Sequence, residues 1–177
     1  MSQQYFSDSE WAILCQAPMK AVQVVTLADK TDPVSFLKET RLAIQFLATQ
    51  QQQGTSSDLV NALLASLKEA DTNESVQGEE LLLKKLFQYL GEIEGLKDAN
   101  EGRTKSLDHL KQVSAILAAK VTLNQAQEFR HWVISLAKNV AEAVKEGGIL
   151  GGIGGERTSH DEAAAIKKIE QALELNK

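Results

Sequence analysis

Two places in the sequence gather side chains that ligate metal ions. Glu156, His160, Asp161 and Glu162 cluster just ahead of an amphipathic carboxy-terminal segment. Carboxylates and an imidazole at this spacing suit a divalent cation, with a neighbouring flexible loop supplying carbonyl oxygens. The same acidic groups are explained without a ligand by the partial positive charge at a helix amino terminus. Glu128 and His131 form the second group, a Glu-x-x-His that points both side chains toward one metal in carboxylate-bridged bundles. That architecture needs a second such pair, and His109 has Ser106 three residues before it. A helical wheel also turns His131 away from Phe129 and Leu136, beside Gln127 and Lys138, so it reads as an exposed histidine. The candidate metal ligands are therefore Glu156, His160, Asp161 and Glu162, and no other cofactor is expected.

Other reactive constellations are weaker. The segment 147–155 holds six glycines among nine residues. A phosphate-binding loop would follow a strand and end in Gly-Lys-Ser/Thr; this one follows a helical pattern and continues Glu156-Arg157-Thr158-Ser159. Its Ile149, Leu150 and Ile153 suggest docking on the bundle or on a partner. Cys15 sits beside Leu14 in an amphipathic run, where a small buried apolar role is usual. No serine has a glycine-flanked elbow around it. Trp11 and Trp132 occupy core positions of their helices; a ligand pocket between helices, lined by Trp11, Trp132 or Phe129, is the competing reading. No catalytic residue is assigned.

The elements that must position these groups are helical. Ser7 and Glu10 have capping-box spacing, and Phe6 and Trp11 sit where a hydrophobic staple would. Pro18 removes the bond to the Leu14 carbonyl, so the first helix is expected to kink or break there. It then resumes through the apolar run Met19 to Ala28, which covers more than one face and reads as central and buried. Asp32-Pro33 opens a second helix that runs to the Gln50–Gln53 stretch and stops at Gly54. Ser56 or Ser57 caps a third, with Leu59, Val60, Leu63, Leu64 and Leu67 inward. A polar loop is expected from Glu69 to Gly78. A fourth helix turns Leu82, Leu83, Leu86, Phe87 and Leu90 inward and extends past Gly91 to Ile93. Gly95 to Arg103 reads as a connection, followed by a fifth helix with Leu107, Leu110, Ser114 and Leu117 on one face. Thr122 and Gln125 repeat the capping-box spacing ahead of a sixth, whose stripe is Phe129, Trp132, Val133, Leu136, Val140 and Val144; Gly147-Gly148 ends it. Ser159 and Glu162 cap the last, which turns Ile166, Ile169 and Leu173 inward. No segment shows the period-two alternation of a strand. The prediction is an all-α, compact bundle of about seven helices forming one domain over residues 1–177.

Composition agrees. A chain of 177 residues that is 43% hydrophobic and 24% charged is ordinary for a globular domain. The formal charge of -5, with scattered Lys and Arg, argues against a nucleic-acid partner. No run approaches the ~20 apolar residues of a membrane span. The start MSQQYFSDSEW lacks a secretory pattern. Cys15 is the only cysteine, which fits a reducing compartment. A soluble cytoplasmic protein is expected.

The stretches FSDSEWAILCQAP (6–18) and WVISLAKNVAEAVKEGGILGGIGGERTSHDE (132–162) resemble the opening and closing elements of a small all-helical prokaryotic family. That resemblance covers the two ends of the chain and brings no activity with it. At the level of fold, the chain is more distantly similar to tellurite-resistance TerB-like domains, all-helical domains with an acidic loop-to-helix motif that binds metal. The likeness implies that Glu156, Asp161 and Glu162 play that part here, although the motif's Asp-Gly pair is absent. The reading that follows is a non-enzymatic, stress-related helical protein that binds another protein or itself. A metal-binding TerB-like protein, or a metal-dependent enzyme, is the alternative.

Overall fold

The computed structural model describes residues 3–28, 33–146 and 160–174. The expectations placed on Asp32, Gly147, Gly148, Ile149, Leu150, Ile153, Glu156 and Ser159 lie outside them, as does the side chain of Val144. A short 3-10 turn at Gln3–Tyr5 precedes seven α-helices: α1 (Asp8–Thr26), α2 (Pro33–Gln53), α3 (Asp58–Thr72), α4 (Gly78–Glu94), α5 (Ala99–Lys120), α6 (Leu123–Glu146) and α7 (His160–Ala172). Among the described residues there is no strand, and no helix is long and apolar enough to cross a membrane.

Helix α1 is the axis of the bundle, packing against α2, α3, α5, α6 and α7. Its start is fixed locally. The Ser7 hydroxyl accepts from the Glu10 amide at 3.2 Å while the Glu10 carboxylate accepts from the Ser7 amide at 2.7 Å. The Phe6 and Trp11 rings close the staple at 5.4 Å. Of the kink or break expected at Pro18, the break does not occur: α1 is a single helix with Pro18 inside it. A missing amide costs about 3 kcal/mol in an isolated helix. Here Ala17, Met19, Ala21, Val22, Val24 and Val25 are all buried around it, and each fully buried valine contributes roughly 1.5–3 kcal/mol. Packing on several neighbours therefore holds the segment helical.

One apolar cluster joins α1, α2, α3, α5, α6 and α7, including Leu14, Leu63, Leu110, Phe129, Leu136 and Ile169. Val144 aside, the expected inward stripes of α3, α6 and α7 are buried or lie against that cluster. Gly54, at φ 72°, ends α2, its amide donating to the Gln50 carbonyl at 2.8 Å; the left-handed region is open to glycine at no steric cost. Helix α5 approaches α1 closely at Gly102, where a Cβ would lie 2.6 Å from Leu27 Cδ1 and 2.8 Å from Leu96 Cδ1.

Two boundaries differ from expectation, and one cap stands where expected but is bonded differently. Helix α3 continues through Glu69 to Thr72, so the loop before α4 is shorter than predicted. Helix α5 starts at Ala99, capped by the Asp98 carboxylate, which accepts from the Glu101 amide at 2.8 Å. Ser57 stands at the N-cap of α3 but makes no capping bond with its side chain. Instead its amide donates to the Thr55 hydroxyl at 3.2 Å, and Thr55 is held in turn by Asn61.

The largest departure is the orientation of α4. Of the predicted stripe, only Leu86 is buried; Leu83 is 44% and Phe87 66% exposed. The inward face runs instead through Leu82, Lys85, Leu86, Tyr89 and Ile93, all buried or half-buried. Polar partners on neighbouring helices account for the rotation: Lys85 pairs with Asp71 on α3, and Glu92 with Lys20 on α1.

Candidate functional site

The described residues hold only part of the sequence-derived metal group. Glu156 lies outside the described residues. His160 and Asp161 are exposed at the first turn of α7, and Glu162 is buried. Among the described residues no group of three His, Cys, Asp or Glu side chains converges as a metal site would. On α6, His131 is exposed, while Glu128 is half-buried and accepts from the Asn124 amide nitrogen at 2.7 Å. Both indoles are closed into the core. Trp11 Nε1 donates to Ser66 Oγ at 3.1 Å and Trp132 Nε1 donates to Gln50 Oε1. Their rings have the buried, hydrogen-bonded environment of structural tryptophans, which is the core role expected of them and goes against the competing reading of a ligand pocket.

Chemistry gathers instead where α1, α2, α3 and α4 meet. A cavity of about 80 Å³ there is lined by Cys15, Leu47, Gln51, Asp71, Lys85 and Tyr89, among others. Cys15 is half-buried rather than sealed in the core. Burial pushes its thiol up to about 11, so at neutral pH it is a protonated thiol and a poor nucleophile. Burial, reinforced by the nearby Glu92 and Asp71 carboxylates, also raises the Tyr89 phenol and keeps it a hydrogen-bond donor. The Asp71–Lys85 pair at 2.5 Å closes the polar side. The cavity thus offers a neutral thiol, a neutral phenol, an amide and a compensated ion pair against aliphatic walls.

A polar network adjoins it on α1. Gln23 is buried at 5% exposure. Its Nε2 donates to Glu92 Oε2 at 3.0 Å, and its Oε1 accepts from Lys20 Nζ at 3.2 Å and Ser106 Oγ at 3.1 Å. Lys20 also meets Glu92 at 3.0 Å. A second buried chain runs from Arg130 Nη2 to Ser114 Oγ at 3.1 Å, and from that hydroxyl to the Leu173 carbonyl at 3.2 Å. Sequence reasoning missed both. The available signal for the first was Gln23 itself, a polar side chain inside an otherwise apolar run of a central helix.

No family model, curated protein or solved structure matches this chain. The functional reading therefore rests on its own surfaces. Among the described residues Tyr5, Val34, Leu83, Phe87 and Leu123 are exposed large apolar side chains, and Leu83 and Phe87 are the pair that stands one turn apart on one helix, α4.

Proposed function

We propose that the protein is a non-enzymatic helical interaction module whose contact surface is the outer face of α4. One observation carries this reading. The helix turns its polar-anchored face inward and leaves Leu83 and Phe87, 44% and 66% exposed, facing away from the bundle. A large aromatic and a leucine at i and i+4 form the anchor pattern by which an amphipathic helix docks in a groove or against another helix. Self-association is the simplest use. Two copies of α4 running antiparallel about a twofold axis set Leu83 of each against Phe87 of the other, a closed and self-complementary contact.

Size-exclusion chromatography with light scattering, over a range of protein concentrations, tests this. The natural chain is expected to form dimers that the Leu83→Ser/Phe87→Ser double variant does not form. A natural chain that stays monomeric throughout, and that captures no protein which the double variant fails to capture, would sink the proposal.

A further inference from the structure

We infer that α4 is a salt-sensitive strap: with one buried side chain and four partly exposed ion pairs holding it, it opens from the bundle as a unit, uncovering the Cys15 cavity, while the other helices stay folded. The strap is held through the inner face of α4, independently of any docking by its outer face. The described helices are anchored very unequally. Helix α1 buries eleven side chains, α5 five, and α3 and α7 four each, whereas α4 buries Leu86 alone. What α4 has instead is charge pairing with each of the first three helices and with the turn before it. Glu92 meets Lys20 on α1 at 3.0 Å, Glu79 meets Arg41 on α2 at 3.1 Å, Lys85 meets Asp71 on α3 at 2.5 Å, and Lys84 meets Glu74 at 2.5 Å.

All four pairs are partly open to solvent, with side-chain exposures from 22% to 63%. Exposed pairs of this kind are screened by salt, unlike buried apolar contacts. Few buried contacts and solvent-exposed bonds mark the segments that open below the global unfolding free energy. The cavity lies directly beneath: Lys85 and Tyr89 line its α4 wall, and Cys15, Met19 and Leu47 face them from α1 and α2. Lifting α4 therefore removes one wall and exposes the thiol that α4 helps to bury.

Hydrogen exchange of the full-length chain, read by helix, tests this directly. The comparison is between about 0.01 M and about 1 M NaCl, where the screening length shrinks from ~30 Å to ~3 Å. Amides of α4 should exchange faster than those of α1, α5 and α6 at low salt. The ratio of α4 to α6 rates should then rise by about fivefold at high salt, the size expected from losing two weak exposed pairs. Alkylation of Cys15 by an uncharged maleimide should accelerate in parallel, and Glu79→Gln/Glu92→Gln should reproduce both effects at low salt. Repeating the salt series on Leu83→Ser/Phe87→Ser removes any contribution from association through the outer face. If α4 exchanges no faster than α1 and α6, or if salt speeds all helices equally while Cys15 alkylation follows global unfolding, α4 is no strap and the inference is overturned.

Discussion

His109 shows how much one side chain can tie to proton concentration. It reaches from α5 to the Ile13 carbonyl of α1, with Nε2 at 2.9 Å, and is half-buried. Burial holds its pKa below the ordinary 6.5, and the nearby Lys20 charge works in the same direction; the Ile13 hydrogen bond opposes them without reversing the shift. A depressed histidine binds its proton more tightly in the unfolded chain, so its contribution to stability is complete above 6.5 and is lost as pH falls below it. Glu10, Glu74 and Glu101 act lower. Their pKa values are depressed below 4.5, by the Ser7 amide, by Lys84 and by Lys105 respectively. Urea unfolding at a series of pH values should therefore show stability declining below 6.5 before the carboxylates begin to titrate near 4.5. His109→Gln should flatten the upper part of that decline and leave the lower part in place. A decline that His109→Gln leaves unchanged would assign the effect to other groups. Gln23 is the other residue-scale hinge. Replacing it with leucine removes the acceptor of the buried Ser106 hydroxyl, a loss worth ~1–3 kcal/mol. The Gln23→Leu/Ser106→Ala double variant should recover part of that loss in the same denaturation experiment.

At the scale of the helix, signals that close within one turn were legible in the sequence and those set by distant partners were not. The Ser7–Glu10 and Thr122–Gln125 caps form as their spacing foretold, the latter with Gln125 Oε1 accepting from the Thr122 amide at 3.1 Å. The same kind of spacing, Asp98 to Glu101, is obscured in the sequence by Gly95 and Gly102; Gly102 serves close packing rather than a turn. The rotation of α4 was illegible because it depends on Asp71 and Lys20, which lie on other helices. Leu86 and Phe87 look alike in the stripe, yet one is 6% and the other 66% exposed. Leu86→Ala should destabilise the chain by ~2–3 kcal/mol through the cavity it leaves. Phe87→Ala should stay within ~0.5 kcal/mol, as surface substitutions do. Thermal or urea unfolding at a concentration where the chain is monomeric separates them, and equal losses would mean that the helix is turned as the stripe suggests.

For the molecule as a whole, the all-helical class and the central placement of the Met19–Ala28 run followed from apolar periodicity, which reports burial without needing to know the neighbours. His131 faces solvent as the helical wheel indicates, and of the acidic group near α7 Asp161 is exposed and Glu162 buried, with Glu156 outside the described residues. The Cys15 cavity needs four helices before it exists, so no spacing within one segment announces it. The shared core also bears on cooperativity. Trp11 and Trp132 belong to one apolar cluster although they report on different joints, α1 with α3 and α6 with α2. In Trp11→Phe and in Trp132→Phe, the fluorescence of the remaining indole should therefore be lost at the same denaturant midpoint as the main loss of helical circular dichroism. Midpoints that diverge would divide the bundle into two separately melting halves.

Helix bundles ordinarily set their spacing by what side chains fill the gap. Between α1 and α5 the gauge at position 102 is a hydrogen atom: the methyl of an alanine would meet Leu27 and Leu96 at 2.6 and 2.8 Å. Alanine would gain about 1 kcal/mol of helix propensity and spend it against overpacking of about 1–3 kcal/mol. The outward lysines and glutamates of α5 are thus free to drift over generations, whereas a side chain at this one position must first turn aside the flexible ends of Leu27 and Leu96, so changes at 102 are coupled to those two leucines.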